Sequence, residues 1–206
     1  LKPIITDLTL RPLQPDRVWI YLNGRPWASV DLLTAAQFKV GDPIDDDTLD
    51  RLKVDHLRHD AYRCALRLLG RRNHSCLEIR QKLTSRGFAA DAIGHALGRL
   101  KEKKYLDNQQ FAIDWVNHRM NTAPRSRQLM AWELRQKGVG QEQIDEALAP
   151  VEEFTSAEAC LLRKRRRWRR LAEPERRQKM LAYLGRKGFA YDVSRSAIAS
   201  YRDSTD

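Results

Sequence analysis

Three stretches of the chain share one spacing of apolar and glycine positions. Ile79, Leu83 and Gly87-Phe88 recur as Met130, Leu134 and Gly138-Val139, and again as Met180, Leu184 and Gly188-Phe189. The glycines lie 51 and 50 residues apart, and each is followed ten positions later by an aliphatic residue: Leu97, Leu148 and Ile198. Apolar residues at i and i+4 share one helix face. A glycine just past the last turn can take the left-handed conformation that ends a helix. Each stretch therefore predicts a helix, a glycine corner and a second helix starting near Ala90, Gly140 or Ala190. A further helix is expected before each pair: about 60–70 with Tyr62, Leu66 and Leu69 on one stripe, about 109–120 with Phe111, Trp115 and Met120, and about 154–171 with Leu161, Trp168 and Leu171. Recurrence at this period reads as stacked helical units. The expected division is three-helix repeats over 51–106, 107–152 and 153–206. Ser75 with Glu78 fits a capping box before the first copy's middle helix, and Pro174 suits the first turn of the matching helix in the third.

The pattern before residue 50 has period two instead. Val18-Trp19-Ile20-Tyr21-Leu22 and Arg25–Val30 flank Asn23-Gly24, a pair that favours a type I′ hairpin turn because both positions need positive φ. That turn predicts the pairs Leu22–Arg25, Tyr21–Pro26 and Ile20–Trp27, with Val18, Ile20, Leu22 and Trp27 on one face. Pro26 is tolerable if its strand is an edge. A lone hairpin is marginal, so residues 4–10 are expected to add a third strand. Gly41-Asp42-Pro43 reads as a turn, with Asp45 or Asp47 capping the helix after it.

Charge changes the picture more than composition does. The net charge is +11 over 206 residues, but it is unevenly placed. Residues 1–50 carry −3, 51–106 carry +9, 107–152 carry −2 and 153–206 carry +7. Two basic blocks separated by a near-neutral one predict two contact patches for phosphate, an acidic protein surface or an anionic membrane. The denser patch is Arg163, Lys164, Arg165, Arg166, Arg167, Arg169 and Arg170 around Trp168. So many cations cannot be buried without partners, and like charges at i,i+4 weaken a helix until a counter-charge arrives. The other patch is Arg63, Arg67, Arg71 and Arg72, the first three spaced as one helical ridge, with Arg80, Lys82 and Arg86 extending it. Lys101, Lys103 and Lys104 end a helix, where its dipole is reason enough for cations. Trp132, beside the buried stripe, is a contact candidate. Most other aromatics, Phe88, Phe111 and Trp115 among them, read as core.

Candidate chemistry is sparse. No GxxxxGK[ST], GxGxxG or HExxH motif occurs. His56, His59 and Asp60 lack the compact closed set of a structural zinc site. Asp45, Asp46 and Asp47 are explained more simply by capping than by magnesium. Ser75 beside His74 lacks the third member of a triad. Cys64, Cys76 and Cys160, an odd number at wide spacing, read as reduced thiols of a cytoplasmic protein. No apolar run is long enough to span a membrane, and the start from Leu1 to Leu10 lacks a secretory pattern. No cofactor is expected.

The stretch from Ala61 to Leu148 resembles the RecX family of regulatory proteins. The likeness rests on Ala65-Leu66-x-Leu68-Leu69-x-Arg71-x-x-x-Ser75-x-x-Glu78-Ile79-x-x-Lys82-Leu83-x-x-x-Gly87-Phe88. It continues through Leu106-Asp107-Asn108-x-x-Phe111-Ala112-x-x-Trp115-Val116-x-x-Arg119 and Glu133-Leu134-x-x-Lys137-Gly138-Val139. The chain departs from the family's pattern at Asn108, where many members have a second acid, and at Thr122-Ala123-Pro124, where a glycine is common. The 163–170 run is more basic than the resemblance requires. The resemblance implies a mainly α protein of tandem three-helix repeats, forming an elongated or curved array behind a small β-hairpin module. It also implies a monomeric, non-enzymatic modulator that lies in the groove of the RecA nucleoprotein filament, limits its activity and in some members binds DNA, with no membrane role. The competing readings are a general DNA-binding helical protein without a RecA role and a protein-interaction scaffold; an enzyme is the last choice.

Overall fold

The computed structural model describes residues 2–11 and 14–201. Three antiparallel strands open the chain: β1 (Ile5–Arg11), β2 (Gln14–Leu22) and β3 (Arg25–Asp31), in the order β1-β2-β3. The β2–β3 turn has φ of 49° at Asn23 and 76° at Gly24, both positive as expected. Leu22 pairs with Arg25 and Tyr21 with Pro26 as predicted, but a register shift then pairs Ile20 with Ala28 instead of Trp27. The reason is a matter of face. The extra residue turns Ala28 and Val30 inward beside Val18, Ile20 and Leu22, while Trp27 is only partly buried at the edge of that cluster. Pro26 lies on the edge strand.

Helices then take over. A short α1 (Leu32–Ala35) precedes α2 (Asp46–Leu69), which runs unbroken through residue 50 into the first repeat. Of the two candidates, Asp45 caps α2, its carboxylate accepting the Thr48 N–H at 2.8 Å. The sheet, α1 and the start of α2 enclose Ile5, Ile20, Val30, Ile44 and Leu52. Under them Arg17 is buried, held by Ser29 and by Asp55 at 2.9 Å.

The first repeat is completed by α3 (Cys76–Thr84) and α4 (Ala90–Glu102), the second by α5 (Asn108–Thr122), α6 (Arg127–Gln136) and α7 (Gln141–Leu148). The third has α8 (Glu153–Leu162), α9 (Arg165–Trp168), α10 (Glu175–Arg186) and α11 (Tyr191–Ser200). In each repeat the first helix packs against the last: α2 on α4, α5 on α7, α8 on α11. On α2 the buried stripe is Ala61, Ala65 and Leu68 with Tyr62, not the Leu66 and Leu69 that size alone favours. Two alanines offer α4 the closer approach. Packing divides the chain into two compact units, one of residues 1–72 with 79–105 and one of 73–78 with the chain from Leu106 onward.

The three glycine corners are built alike. Gly87, Gly138 and Gly188 have φ of 82°, 72° and 85°. The residue after each donates its N–H to the carbonyl five positions back: Phe88 to Leu83 at 3.2 Å, Val139 to Leu134 at 3.1 Å, Phe189 to Leu184 at 3.2 Å. The glycine N–H closes the three-residue bond beside it, which completes a Schellman motif. Ser75 Oγ accepts the Glu78 N–H and Ser126 Oγ the Leu129 N–H, each at 3.1 Å, capping α3 and α6. Pro174 sits one place earlier than expected, as the N-cap of α10.

Candidate partner-binding surfaces

The first helix of the third repeat is not continuous over 154–171. It stops at Leu162, turns at Arg163-Lys164 and resumes as the four-residue α9. The cause lies in one carbonyl. Leu161 O accepts the Lys164 N–H at 3.0 Å and the Trp168 indole N–H at 2.9 Å, so it is not left for Arg165. Trp168 is thereby drawn into the repeat's core, 1% exposed, against Tyr183 and among Leu161, Met180 and Leu184. Like charges at i,i+4 within the run favour the same break.

Fixing Trp168 inside turns its neighbours outward. Lys164, Arg165, Arg166, Arg167, Arg169 and Arg170 are all exposed, and among the described residues Arg165, Arg166, Arg167 and Arg170 form no ion pair. Arg167 lies near the Trp168 ring, 5.7 Å from its centroid. Arg163 is exposed as well but has a structural role. Its guanidinium donates to Thr122 O at 2.6 Å and to Asn121 O, where the carbonyl end of α5 favours a cation.

The other patch lies in the first unit. Arg63 is half-buried, and Arg67, Arg71 and Arg72 are exposed. The predicted ridge is not all on one helix, because α2 ends at Leu69 with Gly70 as its C-cap. Arg71 follows in a tight turn, its N–H bonded to Leu68 O at 3.1 Å. Arg67 and Arg71 nevertheless converge with Arg86 on a pocket of about 390 Å³ that Cys64, Leu68 and Phe88 complete. Arg86 donates to Cys64 Sγ at 2.7 Å. Phe88 is only half-buried, unlike the core residue its pattern predicts. Trp132 is 56% exposed on α6.

Spacing alone missed a charged network in the second repeat. Glu133, 7% exposed, accepts from Trp115 Nε1 at 3.2 Å and Arg119 Nε at 2.9 Å, and pairs with Arg125. Arg119 and Lys137 both lie over the Trp115 ring, 4.4 and 4.2 Å from its centroid. The available signal was a carboxylate three residues after Met130, on the buried stripe.

The histidines and cysteines of the sequence reading are placed as follows. His56 Nδ1 accepts the Ser29 N–H at 3.2 Å, which occupies that lone pair. Burial pushes the His56 and His59 imidazoles below their usual range, His59 to about 4. Among the described residues no three His, Cys, Asp or Glu side chains are placed to share a metal. The three cysteines are free thiols, and burial raises Cys160 to about 11. No helix among the described residues is long and apolar enough to cross a membrane.

Comparison with known proteins agrees with this architecture. Family models described as the first, second and third three-helix domains of RecX match residues 61–100, 107–148 and 151–198. A regulatory protein RecX of Bacillus licheniformis is 30% identical over 202 residues, covering 95% of this chain and 76% of the relative. One of Mycolicibacterium smegmatis is 36% identical over 149 residues, covering 67% and 79%. A crystal structure of a regulatory protein RecX superposes with a TM-score of 0.75 at 24% identity, covering 96% of this chain and all of that one. A RecX structure from Lactobacillus salivarius gives 0.60 at 20% identity, covering 69% and 95%. These two likenesses carry the fold alone. With three consecutive domain matches and a relative aligned over 95% of this chain, the chain belongs to the RecX family of regulatory proteins.

Proposed function

We propose that this chain binds the RecA nucleoprotein filament in the bacterial cytoplasm, as a monomer and without a cofactor. It thereby restrains ATP hydrolysis, strand exchange or filament extension in homologous recombination, DNA repair and the SOS response. Family membership supports the class of partner. The observation that carries the binding mode is the anchoring of Trp168, which holds four arginines without ion pairs on the surface of one short turn. Exposed cations in that density need a counter-charge from outside the molecule. Arg67 and Arg71 supply a second patch, with Arg63 and Arg72 beside them, and Trp132 a flat apolar contact. Binding of this kind acts by mass action on a partner's assembly, and contact with more than one filament subunit adds effective concentration.

The test follows ATP hydrolysis by RecA on single-stranded DNA across a salt series, with the wild-type chain and with Arg165→Glu/Arg167→Glu and Arg67→Glu/Arg71→Glu. The expected result is inhibition by the wild type and its loss in the variants. A chain that binds DNA tightly at low salt yet leaves RecA indifferent would select a general DNA-binding role instead. Where a neutralised arginine touches phosphate, the slope of log K against log salt falls by about 0.7 per contact on a single strand. Unchanged DNA binding with altered RecA inhibition would assign that arginine to protein.

A further inference from the structure

The three glycine corners share a backbone but not a setting. A Cβ at Gly138 would lie 2.7 Å from Leu77 Cβ, and one at Gly188 would lie 2.5 Å from Ser126 Oγ and 2.9 Å from Leu129 Cβ. Leu77 and Ser126 belong to the first turn or cap of the middle helix of the preceding repeat. Each of these corners is thus the seat of a helix start. The seat also makes polar contacts. At Gly138, Asn108 bridges the Cys76 N–H at 2.9 Å and Gly138 O at 3.2 Å, and Lys137 Nζ meets Glu78 Oε1 at 2.6 Å. At Gly188, the Ser126 N–H bonds Lys187 O at 3.0 Å.

Gly87 has the same conformation, yet no described atom lies within 4 Å of where its Cβ would be. The first repeat has no repeat before it to fill the seat. Two neighbouring residues differ accordingly. Val139 and Phe189, the residues after the occupied glycines, are each 5% exposed, whereas Phe88 is half-buried and lines the pocket. Lys137, just before Gly138, is matched to a carboxylate. Its counterpart Arg86 is exposed and reaches a thiol, with Arg67 and Arg71 on the same rim.

We propose that the Gly87 corner is an open seat for the first turn of a helix from a partner protein, with a carboxylate in that turn. The internal precedent sets the occupant's chemistry. Where Lys137 precedes the glycine, the incoming turn carries a serine cap, a leucine two residues on and a glutamate three residues on: Ser75, Leu77 and Glu78. At Gly87 the leucine would cover Phe88, and the carboxylate would meet Arg86 and its neighbours. The glycine itself is needed there for φ by the fold and for space only by the guest. The inference stands without the RecA reading, since it follows from how the repeats receive one another.

The probe is a helix-stabilised peptide of residues 73–85, which presents Ser75, Leu77 and Glu78 in its first turn. It is titrated against the full-length ¹⁵N-labelled protein. The Gly87 amide should shift saturably, while the amides of Gly138 and Gly188, already covered, stay in place. A peptide with glutamine for Glu78 should bind roughly fivefold more weakly, the weight of one partly exposed ion pair. In Gly87→Asn, whose residue accepts positive φ but adds a side chain, the shifts should vanish while the melting temperature stays close to the wild type. A stationary Gly87 amide at millimolar peptide, or an equal response to the glutamine peptide, overturns the proposal. So does a short single-stranded oligonucleotide that reproduces the shifts and displaces the peptide, which would make the corner a phosphate site.

Discussion

Replacing each corner glycine by alanine separates the two reasons for having glycine there. All three positions have φ near +80°, and a side chain in that region costs about 1–2 kcal/mol. At Gly87 the added methyl meets open space, so this is the whole expected loss. At Gly138 the methyl would sit 2.7 Å from the stem of Leu77, and at Gly188 2.5 Å from Ser126 Oγ. Neither neighbour is the loose end of a long side chain. Leu77 Cβ moves only with its backbone, and Ser126 Oγ is the cap that accepts the Leu129 N–H. Overpacking of this kind adds about 1–3 kcal/mol, and a lost cap about 1 kcal/mol. Gly138→Ala should therefore lose about 2–5 kcal/mol and Gly188→Ala about 3–6, against about 1–2 for Gly87→Ala. Urea unfolding followed by far-ultraviolet circular dichroism measures the three differences, with the slopes compared because two compact units need not unfold together. Equal losses at all three sites would refute the idea that helix starts are seated on the second and third corners.

Trp168→Ala should cost about 3–5 kcal/mol, the scale for a large buried aromatic, and should free α9. Urea unfolding followed by far-ultraviolet dichroism reads it, and an unchanged midpoint would mean that Trp168 is not the anchor. Glu133→Ala leaves Arg119 and Arg125 without their shared acceptor and should destabilise by about 3 kcal/mol; a thermal melt within a degree of the wild type would contradict the network. His59 binds its proton less readily when folded, at about 4, than in the unfolded chain at about 6.5. Between those values the unfolded state holds more protons, so stability should fall as the pH drops through that window. His59→Gln should flatten the fall, measured as the urea midpoint at several pH values, and an unaltered fall would assign the effect to another group.

Legibility in the sequence tracked how local each cause is. The corners could be read because a left-handed residue after an apolar i,i+4 pair demands glycine in each repeat separately. Asn23-Gly24 fixed its turn for the same reason. The one-residue shift beyond Pro26 could not be read, since it depends on Ala28 and Val30 filling space beside Ile20 better than Trp27 and Ser29 would. The break before α9 depends on one hydrogen bond, from the Trp168 indole to Leu161, that no periodicity records. The Glu133 network was not legible because its partners Arg119 and Arg125 come from other segments of the repeat. The basic clusters were visible in the sequence, Arg86 beside Arg67 and Arg71 included, but the pocket they line with Cys64 and Phe88 was not, because it joins the end of α2 to a corner some fifteen residues further on.

The claim on which the functional account depends is that this chain recognises an assembled array of RecA subunits rather than RecA or DNA singly. Its affinity should be measured, at one fixed salt concentration, for RecA filaments on single-stranded DNA, for unassembled RecA and for the bare strand. The account predicts that the filament is bound at least about a hundredfold more tightly than either component, the low end of what bridging adjacent sites adds. Equal affinity for unassembled RecA and for the filament would contradict it.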